Sequence, residues 1–570
     1  MTSIGRKALG RALAAGVAAG TGGVGYLLAT DEGSRRAATF YLRICPIYCH
    51  YRTIQLLNRD LGVLSDERAD EMYEVCHEKY TAPVKNLTFE MRGFYLKQAQ
   101  MISTQDDFVP KAYMSWVKQT QDCIPSEFAG TQAREYVAAK LKEELQLDFD
   151  DVFASFDDAP IGVASIGQVH RAVLRKSGKE VAVKFLVPGI ESKFRGDIKT
   201  IRGFCEFALP QHVPAFAEIE RQFCTEFDYR GEAQNLALIR NNLREKYKDR
   251  IEIPEPHLDL CSKHILVMEF LDGVNFVAGV KEQFSRLAAL QGKSLDEMMQ
   301  EQRDLMQSGK FKFQTMKAKA REAAAVTNML KWGDFFSNSW RLCYNLSVLR
   351  LVYGPADYVK TEPPIDLGST MDLLCKVHAH QIFVDGAFNG DCHPGNFLLL
   401  KDGRIGLIDM GQVKHLTVED RVKYAKLMVA HSRKDKNEVV RIHFDLLGVK
   451  TKYRNADIAY RFSAFMNDRD SPEIMQGLNI SSFSDYCEKV DPIIVLPDNF
   501  LMAQRASLLL RGLGKAFGIK IEMSQAWLEP ATKFLKEHGE GAYVMEQQRQ
   551  RRERVTEGGV ELLANSPNKK

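Results

Sequence analysis

At 570 residues the chain has room for roughly three to four domains of about 150 residues each. Its 45% hydrophobic, 10% aromatic and 26% charged residues are an average globular mix, which excludes disordered, collagenous and disulfide-scaffold classes. Lys+Arg 77 against Asp+Glu 74 leaves a net charge of +3, so nothing in the balance suggests a nucleic-acid partner. The 11 cysteines are scattered and odd in number; Cys45, Cys49 and His50 lie together without a second pair at zinc-ligand spacing, so the thiols read as reduced and structural.

Residues 1–30 differ from the rest. They carry Arg6, Lys7 and Arg11, no acid before Asp31, and an uncharged Ala- and Gly-rich run from Ala12 to Ala29. That pattern predicts an organelle-targeting leader, mitochondrial or plastid, with a length at the lower edge of a single membrane span. Residues 31–150 read as a helical N-terminal extension, with apolar residues at spacings of three and four. From 151 to 273 the texture becomes β-rich: QVHRAVLR, the turn KSGK, then EVAVKFLV predict a hairpin, and HILVMEF predicts a buried strand. Residues 274–367 read as a helical insertion containing Lys310, Phe311, Lys312, Phe313, Lys317, Lys319 and Arg321, a basic and apolar mix suited either to an anionic membrane or to a solvated face. Residues 368–540 return to helices, interrupted by FLLL and IGLIDM around Asp402 and Gly403, and 541–570 read as a polar tail.

The chemistry begins at Lys184, which ends the apolar run Val181-Ala182-Val183. Alone it is an ordinary strand-end charge. Downstream, Asp391 and Asn396 stand at the D-x-x-x-x-N spacing of a kinase catalytic loop, and Asp409-Met410-Gly411 follows a predicted hairpin in the place of the D-F-G signature. In phosphoryl transfer a protein chiefly positions a nucleotide triphosphate and neutralises its charge. On that logic Lys184 neutralises phosphate oxygens, Asn396 and Asp409 supply hard oxygen ligands for Mg²⁺, and Asp391 orients or deprotonates the acceptor. His393 invites a zinc reading, but no further ligands stand at metal spacing.

The ordered motifs resemble the UbiB family, also called aarF-domain-containing atypical kinases. Lys97-Gln98-Ala99-Gln100 is similar to the family's KxGQ motif, Pro160 to His170 to its alanine-rich nucleotide loop with Ala164 and Ser165 at the core, and Glu226-Phe227-Asp228 to its ExD motif. The resemblance implies that Glu232 is the helix glutamate that pairs the strand lysine. It also implies that Lys97 and Gln100 lie over the nucleotide site, and that Glu226 and Asp228 steer nucleotide or metal. The chain departs from the pattern in Ala99 for glycine, in Gly162 and Val163 for alanines, and in the insertion after Val277. Asn389-Gly390 replaces His-Arg before Asp391, and no A-P-E segment follows Gly411.

The resemblance therefore implies an α+β, atypical protein-kinase-like two-lobe fold with an N-terminal helical extension, binding ATP and Mg²⁺. Its expected role is an ATP-dependent phosphotransferase or ATPase acting on a small molecule, lipid or quinone precursor in ubiquinone-type metabolism. The expected setting is the mitochondrial inner membrane, as a homodimer or within a biosynthetic complex. The alternative is a catalytically silent, ATP-gated lipid-binding scaffold, for which the run LPDNFLMAQRASLLLRGLGKAF offers an amphipathic surface.

Overall fold

The computed structural model describes residues 31–102, 110–117, 120, 131–164, 166–208, 225–308, 310–347, 350, 354–547 and 549. The leader 1–30, Ser165 and most of the tail lie outside them. Two compact units emerge. One holds the chain up to Ala233 together with Pro256–Phe270; the other holds Gln234–Glu255 and everything from Leu271 onward.

The first unit is built on a mixed-length antiparallel sheet. Strands β1 (Phe153–Phe156), β2 (Gly162–Val163), β3 (Gly167–Leu174) and β4 (Glu180–Leu186) come in sequence, and the later β6 (Ile265–Glu269) completes the order β1-β3-β4-β6, with β2 on β3. The predicted hairpin is β3–β4, in the register Val169 to Lys184, closed by a turn in which Gly178 takes φ +66°. β4 is an inner strand, paired with β3 and β6, and its Val181, Val183 and Phe185 join Phe153, Ile265 and Val267 in one buried cluster. An inner strand covered on its faces is expected to read as a continuous apolar run, so the one basic residue in it calls for a partner.

The N-terminal helices of this unit pack on one another and on the helix Ile190–Ala208. Glu32–Gln55 starts behind Asp31, which accepts from the Ser34 amide at 2.6 Å, and Asp66–Met91 starts behind Ser65, whose side chain accepts from the Arg68 amide. These caps satisfy amide donors that the first helical turn leaves without partners. Arg36 reaches from the first helix to Asp197 on the helix Ile190–Ala208 at 2.5 Å, and the same guanidinium donates to the Met91 carbonyl.

The second unit is mainly helical. Its small sheet has the order β5-β10-β9-β7, with β5 Ile251–Glu252, β7 Gly273–Asn275, β9 Phe397–Leu400 and β10 Ile405–Leu407; β8 (Ala387–Asn389) pairs with β11 (Val413–His415). Gln234–Glu255 clusters here because β5 pairs in parallel with β10 and Glu252 receives both Arg240 and Arg404. The β9–β10 hairpin is the one the sequence predicted around Asp402 and Gly403, Gly403 taking φ +86°. Trp527, fully buried, donates its indole N–H to the Cys375 carbonyl at 3.0 Å and packs on Tyr424 and Phe383.

Among its described residues the insertion forms three helices, Phe276–Leu290, Leu295–Gln307 and Met316–Leu346. The last packs along Leu367–His380, where Gly368 makes the approach possible: a Cβ at that position would strike the backbone of Met316 and Ala320. Among the described residues no helix is long and apolar enough to cross a membrane.

Candidate functional site

In the first unit Lys184 projects from β4 and meets Glu232, on the first turn of the helix Tyr229–Tyr247. Nζ lies 2.7 Å and 3.0 Å from the two carboxylate oxygens, with the side chains 13% and 6% exposed. The geometry has a local cause. The Tyr229 amide donates to the Lys263 carbonyl, which anchors the helix start beside the sheet, and the buried Tyr229 ring lies 5.1 Å from the ammonium. The cation thus sits over a π-face while a buried carboxylate holds it. Gly167 fits under this arrangement, since a Cβ there would lie 2.6 Å from the Tyr229 hydroxyl and 2.7 Å from the Phe185 carbonyl oxygen.

A second lysine–glutamate pair lies in the same unit. Lys97, on the helix Gly93–Ile102, bonds to Glu226 at 3.0 Å, with exposures of 17% and 11%. Gln100 donates to the Thr120 carbonyl at 3.0 Å. Ala99, where the resembling motif has glycine, is buried against Trp116 and Val117, so its methyl fills apolar space. Asp228 has a different character: it accepts from the Arg230 side chain at 2.6 Å and from its amide at 3.1 Å, and these bonds hold its carboxyl below the usual range. Ala164 is exposed in a tight turn, its amide donating to the Gly167 carbonyl at 2.8 Å; Ser165 lies outside the described residues.

In the second unit the three predicted acidic and amide residues are tied into one loop system. The Asp391 amide donates to Asn389 Oδ1 at 2.9 Å, and Asn389 Nδ2 donates to the Asp409 carbonyl at 2.9 Å. Asn396 Nδ2 reaches the Asp391 carbonyl at 3.3 Å, while the Asn396 carbonyl accepts from the Ile408 amide. Asp409 Oδ1 accepts from the Gly411 amide at 3.0 Å. Met410, standing where kinases carry phenylalanine, is fully buried, and its carbonyl accepts from Asn235 at 3.0 Å.

Cys392 and His393 anchor this loop. Cys392 Sγ lies 3.5 Å from His378 Nδ1, burial pushes the thiol pKa up, and burial depresses His378 to about 3, so both groups are neutral packing partners. His393 Nδ1 accepts from the Gly395 amide at 3.0 Å. Among the described residues no group of three or more His, Cys, Asp or Glu is placed to hold a metal ion. The pair Asn396 and Asp409 still fits Mg²⁺, which takes few protein ligands and completes its shell with water and phosphate oxygens.

Three residues of this loop system have no role in the sequence reading. Asn389 staples the Asp391 loop to Asp409, and Gln412 accepts from Arg505 at 2.7 Å. Arg505 also bonds Asp391 Oδ1 at 3.1 Å. Arg505 belongs to the helix Asp498–Ala516, the segment expected to offer an amphipathic lipid-binding surface. Instead that helix is mostly covered, with Phe500, Ala503, Ala506, Leu510, Arg511 and Leu513 buried, because its apolar stripe packs within the second unit. The only available sequence signal was an arginine inside an apolar helical stripe.

Known proteins align with this arrangement. Residues 127–309 and 358–443 match the ABC1 atypical kinase-like domain. AarF domain-containing protein kinase 1 of Mus musculus is 29% identical over 279 residues, covering 47% of this chain and 51% of that protein. A probable protein kinase UbiB of Shewanella baltica is 28% identical over 217 residues, covering 36% and 38%. The Arabidopsis thaliana protein ACTIVITY OF BC1 COMPLEX KINASE 8, chloroplastic, is 31% identical over 190 residues, covering 32% and 24%. The matches thus span about half or less of these relatives' lengths. A solved structure, the Rv3197–erythromycin complex from Mycobacterium tuberculosis, is similar at 18% identity and a TM-score of 0.40, over 80% of this chain and 97% of that one. With its α+β framework and N-terminal helices, the chain carries a region matching the ABC1 atypical kinase-like domain and is similar to proteins named for AarF and UbiB kinases.

Proposed function

We propose that the chain binds Mg-ATP and uses it as a phosphotransferase or ATPase on a small molecule or lipid, in support of isoprenoid-lipid metabolism of the ubiquinone type. The observation that carries this reading is the Lys184–Glu232 pair. A lysine on an inner strand, oriented by a helix carboxylate, is the device that presents an ammonium to α- and β-phosphate oxygens. Asp391 is the group to receive or direct the acceptor proton, and its carboxylate is oriented by Arg505. Asn396 and Asp409 are the oxygen donors that would hold Mg²⁺, which when bound neutralises charge on the phosphates.

A small acceptor is favoured over a protein because no peptide platform follows the metal motif. After Gly411 the chain enters β11 at once, the Leu416 amide bonds the Gly386 carbonyl at 2.8 Å, and Thr417 caps the helix Val418–Ser432. The organelle and membrane assignment, mitochondrial with plastid as the alternative, rests on the composition of residues 1–30.

Titration calorimetry with ATP, with and without Mg²⁺, tests the site. Wild type binds in a metal-dependent manner and Asp409→Ala loses that dependence; the same metal-dependent binding in both refutes the assignment. A second reading, an ATP-gated scaffold without turnover, is favoured by one feature: Arg505 holds the carboxylate that would otherwise serve as base. Phosphate release in the presence of lipid or a phenol separates the two, since the scaffold binds ATP and releases none.

A further inference from the structure

The insertion helix Met316–Leu346 is built inside out. Over its 31 residues, about 46 Å, not one side chain is buried. Asp334, Asn338, Arg341 and Asn345 recur at spacings of four, three and four and so share one face. That polar face is covered by the segment 354–361. Asn338 exchanges two bonds of 2.7 Å with the Val359 backbone, and Asn345 does the same with Ala356 at 2.9 and 2.7 Å. Asp334 accepts from the Thr361 amide and hydroxyl, and Arg341 donates to the Asp357 carbonyl.

The apolar residues take the other side. Met329, Trp332, Phe336 and Trp340, again at three, four and four, are 67%, 61%, 64% and 77% exposed. Phe335 meets Trp332 and Phe336 edge-on, at 5.9 and 5.7 Å between ring centroids. A helix on a water-facing surface normally buries its apolar stripe and exposes its polar one. Here the polar stripe is satisfied by backbone partners and the aromatic stripe faces outward, which marks an interaction surface.

We propose that this aromatic face seats on an anionic lipid surface, with the helix lying along the membrane interface. Charge selects this occupant. From Lys310 to Arg350 there are eight Lys and Arg against two acids, a balance of +6. Both acids are engaged locally, Glu322 by Lys319 and Asp334 by Thr361. Lys317 and Arg321 are exposed about three and two turns ahead of Met329, where the outward apolar stripe begins. Tryptophan and phenylalanine flanked by basic residues suit the headgroup and acyl boundary of an anionic bilayer. A second copy of the chain on this face would oppose like charges, and the helix is too polar to span.

The test uses the full chain in flotation with phosphatidylcholine vesicles, with and without phosphatidylglycerol. Wild type floats with the anionic vesicles. Trp332→Ser/Trp340→Ser weakens this by roughly tenfold or more, and Lys317→Glu/Arg321→Glu weakens it only where phosphatidylglycerol is present. Brominated lipid supplies a readout that needs no variant. Trp116 and Trp527 are buried while Trp332 and Trp340 are exposed, so the lipid quenches only the exposed pair. Unquenched wild-type fluorescence, equal flotation of the tryptophan variant, or a wild-type dimer that the variant splits without any vesicle binding would each overturn the proposal.

Discussion

Breaking the Lys184–Glu232 pair one side at a time, and then both at once, separates the pair's structural role from its chemistry. At 2.7 Å and an effective dielectric of about 20 the attraction is about 6 kcal/mol, and desolvating two nearly buried ions cancels most of it. Net stability from the pair is therefore small, while stranding one charge is costly. Lys184→Met takes the ammonium from the Glu232 carboxylate, 6% exposed, and Glu232→Leu takes the carboxylate from Lys184; each is expected to cost about 3 kcal/mol. The double variant Lys184→Met/Glu232→Leu removes both charges and is expected to be no worse than either single, a coupling of about 3 kcal/mol. Hydrogen–deuterium exchange at the β4 amides reads this in the first unit alone, which matters because a two-unit chain unfolds in more than one step. The double variant should then be stable and unable to bind ATP. Additive costs in the cycle, or full nucleotide affinity in the double variant, would refute the reasoning.

Arg505→Ala removes a donor from both Asp391 and Gln412, charged hydrogen bonds of about 1.5–3 kcal/mol. Amide exchange at Gly390 and Asp391 should rise and turnover fall while Mg-ATP affinity holds; Arg505→Lys should restore only part, since an ammonium lacks the two-pronged fork. Unchanged exchange would show that Arg505 does not hold the loop. Acid should destabilise the second unit: burial lowers His378 from 6.5 to about 3, and His431 and His443 to about 4. Folded pKa values below the unfolded one mean that this stability is present above about pH 6.5 and is lost as pH falls toward 4, at about 2 kcal/mol per histidine by pH 5. His380, also lowered to about 4, and Asp385, raised to about 6 by burial, act in opposite directions and roughly offset. A melting temperature that stays flat from neutral pH to about pH 5 would contradict this. Gly368→Ala forces a Cβ onto the Met316 and Ala320 backbone, so the insertion helix should become protease-sensitive at a cost of about 1–3 kcal/mol, with nucleotide binding intact.

What the sequence made legible was local. The β3–β4 hairpin follows from alternating β-branched residues around a Gly-containing turn, and the β9–β10 hairpin from the same logic. Asp391, Asn396 and Asp409 could be placed on one loop system because their spacing is short and their order fixed. Arg505 could not, since its contact spans 114 positions and an arginine in an apolar stripe looks the same whether it meets water, lipid or a carboxylate. The insertion helix shows the same limit in another form. Periodicity marks two faces but does not say which one turns inward. The choice is made by the segment 354–361, whose backbone groups need side-chain partners and find them on Asn338 and Asn345.

The replacement of His-Arg by Asn389-Gly390 before Asp391 has a physical counterpart in the fold. In kinases that carry the arginine, its charge can answer a phosphate on the activation segment, so loop order depends on modification. Here the cation arrives from Asp498–Ala516 and bonds Asp391 and Gln412 together, while Gly390 donates its amide to the Gln412 carbonyl at 2.8 Å. Both ends of that tie are present in the unmodified chain, and the segment after Gly411 is committed to pairing with β8. A loop fixed by its own helix has no need of a phosphorylated segment to order it. The absence of a peptide platform and the presence of Arg505 are therefore two consequences of one construction, in which order at Asp391 is built into the fold.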